Sequence, residues 1–262
     1  QTLECESIEM ARNRAALTAQ AEECRSKQQS TMTRQADLQS QLGQMRVRFD
    51  LLSRLHRSRS GYYHGVKAVL DAAGDGRGER LSGIVGVVAS LIQVPTHLEI
   101  AISTALGSQA QDIVVARWKD AEAAIEFLKR TGAGRATFLP LDTLSPNVRV
   151  AGRDNWPPQA ESGVVGVASQ LVQCEPQLAP VTSYLLGRTL VVDDMATARR
   201  ILSRCPAGWF IVTLAGELVR PGGAITGGAH DQKGPVGLLA RERELRELPK
   251  AIESLEASIS SQ

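Results

Sequence analysis

Ser82-Gly83-Ile84-Val85-Gly86-Val87 and Ser162-Gly163-Val164-Val165-Gly166-Val167 are two copies of one pattern, 80 residues apart. At the same spacing Leu91, Gln93, Leu98 and Leu106-Gly107 recur as Leu171, Gln173, Leu178 and Leu186-Gly187. After a short deletion Val114-Val115 aligns with Val191-Val192. Apolar residues at helical spacing follow each pair: Ala121, Ala124, Ile125 and Leu128, then Met195, Ala198, Ile201 and Leu202. Each copy closes on a glycine and a strand-like run, Gly134 to Leu139 and Gly208 to Leu214. Short β-branched runs alternating with helices of about 12 residues predict mixed α/β subdomains. Two copies make a duplicated subdomain rather than a solenoid. The segment 142–161, with Pro146, Pro157 and Pro158, is the predicted joint, which gives subdomains at 61–152 and 153–236.

The flanks have a different texture. Residues 1–60 contain no Pro before Gly61 and a single Gly, Gly43. Leu3, Met10, Leu17, Cys24, Leu38, Met45 and Leu52 recur every seven residues, with Thr31 the gap. The alternate heptad position is polar or small at Ser7, Arg14, Ala21, Gln28 and Gln35, and apolar at Leu42 and Phe49. This predicts a coiled-coil helix, weak in its first half and good from Leu38 onward. About 57 helical residues would extend ~85 Å, which suits an arm rather than a globular layer. The segment 237–262 repeats the theme: Leu238, Leu245, Ile252 and Ile259 are seven apart, with Leu248 and Leu255 between them. Pro249, lacking an amide hydrogen, is expected to kink this helix or to mark a start within it. Two heptad segments around a globular insert predict an antiparallel hairpin of helices and an α+β fold. The shorter returning helix reaches only about Thr31 to Leu55 of the first. That mismatch, and Gln1 in place of an initiator Met, suggest a piece of a longer chain.

Composition excludes several classes. Of 262 residues 43% are apolar and 22% charged, an ordinary soluble balance, while a net charge of +2 is too small for a tail-type nucleic-acid binder. No apolar run approaches the ~18–20 residues of a membrane span. Cys5, Cys24, Cys174 and Cys205 form no CxxC pair, so neither a zinc site nor a disulfide framework is expected and a reducing cytoplasm fits. His56, His64, His97 and His230 show no metal-ligand spacing. Asp193-Asp194 follows an apolar run as strand-end turn residues do. No phosphate loop is present: the run Pro221-Gly222-Gly223-Ala224-Ile225-Thr226-Gly227-Gly228 lacks the Lys and the dinucleotide spacing. Paired glycines in strand-like sequence suit close approach by another strand or chain. No catalytic residue, metal site or cofactor is therefore expected.

Positive charge is concentrated. Between Arg46 and Lys67 there are six basic residues (Arg46, Arg48, Arg54, Arg57, Arg59 and Lys67) against one acid, Asp50. From Gln1 to Met45 the balance is five basic to six acidic. Such a cluster could neutralise several phosphates without sequence preference, or could be a solvated helix face.

Three stretches carry a family resemblance. Gly65-Val66-Lys67-Ala68-Val69-Leu70, Gly134-Arg135-Ala136-Thr137-Phe138-Leu139-Pro140-Leu141, and Ile211-Val212-Thr213-Leu214-Ala215-Gly216-Glu217-Leu218-Val219 running into the glycine pairs resemble the hinge region of structural maintenance of chromosomes (SMC) proteins, probably bacterial ones. The resemblance implies duplicated hinge subdomains between the two arms of an antiparallel coiled coil, at the tip of a chromosome-condensation and segregation ATPase. It implies a homodimer in which the first half of each copy meets the second half of the other. Gly222, Gly223, Gly227 and Gly228 would then lie at the contact, opposite the strand of Arg135, Ala136, Thr137, Phe138 and Leu139. It further implies a non-specific DNA surface at the hinge–coil junction, here Arg46, Arg48, Arg54, Arg57 and Arg59, with Lys233 after the second glycine pair. The ATPase heads, and the accessory subunits that bind them, would belong to the rest of such a protein, in the cytoplasm on the nucleoid. The rival readings are a ligand-binding or enzymatic α/β module on a coiled-coil stalk, and a structural spacer whose coil pairs in parallel.

Overall fold

The computed structural model describes residues 2–74, 81–144, 161–228 and 236–260. Lys233, His230 and most of the predicted joint lie outside the described residues. The chain divides into two compact units, Gln1–Arg54 with Leu245–Gln262, and Leu55–Glu244.

The first unit is made from two helices, α1 (Thr2–Arg57) and the returning helix (Val236–Ser260), which continue into the second unit. Leu38, Leu42, Met45, Phe49 and Leu52 are half-buried on α1, as are Leu245, Leu248, Ile252, Leu255 and Ile259 on its partner. Those are the heptad positions. Arg46 Nη2 donates to Glu256 Oε1 at 2.7 Å, joining the two helices. Met10, Leu17 and Met32 stay 69, 65 and 57% exposed. Among the described side chains partial burial therefore begins at Leu38, just before the alternate position turns apolar at Leu42, and not at Thr31. The returning helix runs without interruption through Pro249, which is exposed. The expected fresh start is not found: a proline removes one main-chain hydrogen bond, and the flanking turns hold. Cysteines placed at 42 and 255, in a chain without its native cysteines, should be bridged within a single chain by a short bifunctional maleimide. Bridging only between chains, read on a denaturing gel, would restore the parallel spacer.

The second unit carries the repeat. Its first half contains α2 (His64–Gly74), β1 (Ile84–Val87), α3 (Val88–Leu91), β2 (Ile92–Gln93), α4 (Glu99–Leu106), β3 (Ile113–Val115), α5 (Trp118–Thr131) and β4 (Phe138–Pro140). The second half follows with β5 (Val164–Val167), α6 (Ala168–Leu171), β6 (Gln173–Cys174), α7 (Ala179–Leu186), β7 (Thr189–Val192), α8 (Met195–Leu202), β8 (Phe210–Thr213), β9 (Leu218–Val219) and β10 (Ile225–Thr226). The returning helix is then α9. From β1 to β4 the order of elements matches that from β5 to β8, as the repeat predicts. One core is shared by both halves: Ile92, Ile102 and Leu106 from the first pack with Val172, Leu178 and Leu186 from the second. β2 pairs antiparallel with β6, Ile92 opposite Cys174, and stitches the halves together. Two further clusters lie under the separate sheets, one around Val66, Val69 and Ile113, the other around Leu190, Trp209 and Ile211.

The halves differ in their sheets. The first has three strands in the order β1-β3-β4, the second five in the order β10-β9-β8-β7-β5. β3 pairs with β4, and β7 with β8, in parallel. β4 begins only at Phe138, later than the run from Gly134 suggested. The residues before it are drawn onto α2: His64 Nδ1 lies 2.6 Å from the Ala133 carbonyl. A Cβ on Gly65 would sit 2.3 Å from the Arg135 carbonyl oxygen, so only glycine allows this approach.

Candidate functional site

β8 is the repeat counterpart of β4, yet the two have different neighbours. On the side away from β7, β8 pairs antiparallel with β9, Val212 opposite Leu218. Among the described residues β4 has no neighbour on the corresponding side. Arg135 and Thr137 are exposed before it, Ala136 and Phe138 are half-buried, and Leu139 and Pro140 are buried beneath. Asp112 stands beside Thr137, and burial lifts its carboxyl to about 6 against the opposing hydrogen bond from Thr137.

β10 is an open edge of the other sheet. Thr213 and Glu217 close the β8–β9 turn through the Thr213 amide and Glu217 carbonyl at 2.9 Å. After β9 the chain turns again at Arg220–Ala224, where the Arg220 amide donates to the Ala224 carbonyl at 2.8 Å. Gly222 and Gly223 occupy φ of +90° and +91° there, which L side chains rarely adopt. β10 is exposed on both residues, with Ile225 59% accessible, and no strand covers its outer edge among the described residues. A Cβ at Gly222, Gly223 or Gly228 would meet nothing within 4 Å, and one at Gly227 only the Glu217 side chain, Cγ at 3.1 Å and Cβ at 3.6 Å. Among the described residues, then, no neighbour requires the small size of Gly222, Gly223 or Gly228.

The basic cluster is less coherent. Arg46, Arg48, Arg54 and Arg57 are exposed on α1. Arg48, two residues after Arg46, lies roughly 200° further round the helix, so the two do not share a face. Arg46 pairs with Glu256 and Arg54 with Asp50, each at 2.7 Å. Arg59 is half-buried just beyond the end of α1, at φ +50°, and its guanidinium pairs with Asp71. The Ser60 amide closes back on the Leu55 carbonyl at 3.0 Å, a Schellman-type ending.

A polar group that the sequence did not reveal lies at residues 55–65. Arg241 and Glu242 are 8 and 6% exposed. Arg241 Nη1 donates to the Ser60 carbonyl at 2.6 Å and its guanidinium lies 5.3 Å from the centre of the Tyr62 ring. Glu242 meets His56 Nδ1 at 3.0 Å and accepts from the Tyr62 hydroxyl at 3.4 Å. Burial, then the Glu242 charge, push the Tyr62 phenol above its usual range. The buried Gln111 amide accepts from the Tyr63 amide at 2.7 Å and donates to the Gly61 carbonyl at 3.1 Å. Charges at 241 and 242 between Leu239 and Leu245 were the available signal; Gln111 had none.

Among the described residues no group of three His, Cys, Asp or Glu is placed to hold a metal ion, and no helix is long and apolar enough to cross a membrane. Among the described residues β1, β4, β5 and β10 all end their sheets, and β10 alone has paired glycines on both sides, an arrangement that suits association.

Comparison with known proteins agrees. The sequence model of the SMC proteins Flexible Hinge Domain matches residues 81–202. The chain is 40% identical over 209 residues, 80% of its length, to the Chromosome partition protein Smc of Halothermothrix orenii. It is 39% identical over 213 residues, 81% of its length, to that of Bacillus subtilis. It spans only 17% of the length of either relative. Among solved structures, an asymmetric dimer of the Geobacillus stearothermophilus SMC hinge domain superposes with a TM-score of 0.73 at 34% identity, covering 87% of this chain and 88% of that one. A hinge structure matched over nearly its whole length at that identity, together with the family's own pattern across the repeat, means that this chain belongs to the SMC hinge-domain family.

Proposed function

We propose that the chain is the dimerisation hinge of a bacterial chromosome-partition SMC ATPase. In this reading it associates with a second copy through β4 of one and β10 of the other. The observation that carries it is the unequal strand count of the halves: among the described residues no strand takes beside β4 the place that β9 occupies beside β8. A strand added there by a partner would extend the sheet by main-chain hydrogen bonds. Because only one edge of each kind exists per copy, first half meets second half twice, and the pair closes with two-fold symmetry. Sedimentation equilibrium of the full chain tests it, with a dimer expected and a monomer at ~100 µM counting against it, a concentration at which even weak specific pairs associate.

The same reading includes weak, non-specific DNA contact through α1, the head-binding accessory subunits of the whole protein, and a place in the cytoplasm on the nucleoid. Four exposed arginines on one helix support the DNA contact; Arg59, tied to Asp71, serves the helix end instead. Changing Arg48, Arg54 and Arg57 to Glu should weaken binding to duplex DNA and lower the slope of log K against log salt by about two to three. An unchanged slope would leave these residues as a solvated face.

A further inference from the structure

Residues 60–65 form a short connector from α1 into α2, and it is held from several sides. Arg241 at the start of α9 donates to the Ser60 carbonyl and sits over Tyr62. Gln111, just before β3, grips Gly61 and Tyr63 through both ends of its amide. The far end of the connector rests on the residues that lead into β4. There the His64 Nδ1–H donates to the Ala133 carbonyl at 2.6 Å, and Gly65 lies against the Arg135 peptide. From that peptide the chain passes directly to Thr137, whose carbonyl accepts from the Ile113 amide at 2.9 Å, and then to Phe138.

We propose that this connector positions the β4 edge for the second copy, with His64 and Tyr62 as its positioning residues; the proposal rests on the reading above that β4 is the receiving edge. Neither residue lies on the strand that is to be paired. Among the described residues, 134–137 belong to no strand and only Thr137 is tied back to the sheet, through the Ile113 amide and the Asp112 carboxyl, so the conformation of the rest depends on what it leans on. His64 supplies a side-chain hydrogen bond from α2 to the Ala133 carbonyl, immediately before this stretch, and Tyr62 fixes the connector that carries His64. Through Arg241 and Ser60 the same connector is fastened to the ends of both long helices. A disturbance at those ends therefore reaches the edge through few bonds.

His64 is exposed, so its replacement leaves the core intact. In sedimentation equilibrium, His64→Ala should raise the dimer dissociation constant about tenfold, the effect of one lost hydrogen bond to a partly buried carbonyl. His64→Asn, which keeps a donor at the same position, should restore it to within about twofold. Tyr62→Leu should weaken the dimer as well, and the double variant should fall clearly short of the product of the singles, since both act on one connector. In the monomeric Gly227→Arg background, His64→Ala should speed amide exchange at 135–139 and leave β7 and β8 unchanged. A His64→Ala dimer as tight as the parent, beside a dissociated Gly227→Arg, overturns the proposal alone. Multiplicative singles, or unchanged exchange at 135–139, also overturn it. A Gly227→Arg chain that stays dimeric would instead remove the interface reading itself.

Discussion

Gly227→Arg should turn the dimer into monomers at micromolar concentration. Gly227 follows β10 directly, and its backbone is not in the left-handed region, so an L side chain is tolerated there locally. A new Cβ would meet the Glu217 side chain, Cγ at 3.1 Å and Cβ at 3.6 Å, and that side chain must give by a few tenths of an ångström while its carboxylate still accepts from the buried Thr213 hydroxyl. The isolated fold should therefore lose little in melting temperature, since no backbone atom is met. Against a second copy the situation differs, because a guanidinium beside the pairing edge must be fitted into a packed contact, and overpacking is destabilising. A rise in the dissociation constant of at least about 100-fold, near 2.7 kcal/mol, is expected. Gly223→Arg should act in the same direction, but its φ of +91° adds local strain, so it is the less clean variant. Gly43→Arg, on α1 with nothing within 4 Å of a new Cβ, is the control and should leave the dimer intact. Sedimentation profiles that coincide for Gly227→Arg and the parent chain would place the interface elsewhere.

Gly65→Ala should give the largest loss of folding stability from a single methyl. Its Cβ would approach the Arg135 carbonyl oxygen to 2.3 Å, the carbonyl carbon to 2.6 Å and the amide nitrogen to 2.9 Å. All three atoms are backbone and cannot rotate away, so α2 must lift from the segment or the segment must shift. Lifting α2 would unseat Val66 and Val69, 2 and 0% exposed, from the first-half core. The cost is about 3 kcal/mol, at the upper end for overpacking, and should lower the melting temperature by roughly 5–10 °C in calorimetry. Gly43→Ala has the opposite sign, because an exposed glycine inside a helix costs ~0.5–1 kcal/mol relative to alanine. A Gly65→Ala chain melting with the parent would mean that α2 does not rest on residue 135.

The repeat and the heptads were legible because both are periodic. Spacing by seven follows from helix geometry whatever the tertiary context, and Leu38, Leu42, Met45, Phe49 and Leu52 are half-buried on one stripe as that spacing requires. The repeat placed β1 on β5 at an offset of 80 and, after a deletion of three residues, β3 on β7 at 77, because both pairs are short apolar strand-like runs. Strand ends were less legible: the run from Gly134 becomes extended only at Phe138, because Gly65 and His64 hold the preceding residues to a helix 70 positions earlier in the chain. The arginine cluster is compact in sequence but spread around α1, since two residues along a helix span more than half a turn.

The order of elements, the pairing of heptad positions and the presence of paired glycines were determined by the amino-acid sequence alone, through local periodicity and backbone freedom. Which edges stay open was decided only in three dimensions. β4 and β8 descend from the same pattern, but β8 is covered by its own continuation through β9, and among the described residues β4 has no such neighbour. The burial of Arg241, Glu242 and Gln111 around residues 60–63 was likewise a tertiary decision. A buried polar group is stable only with its partners in place, and these partners, Ser60, His56, Tyr62 and Gly61, come from positions that no local rule connects.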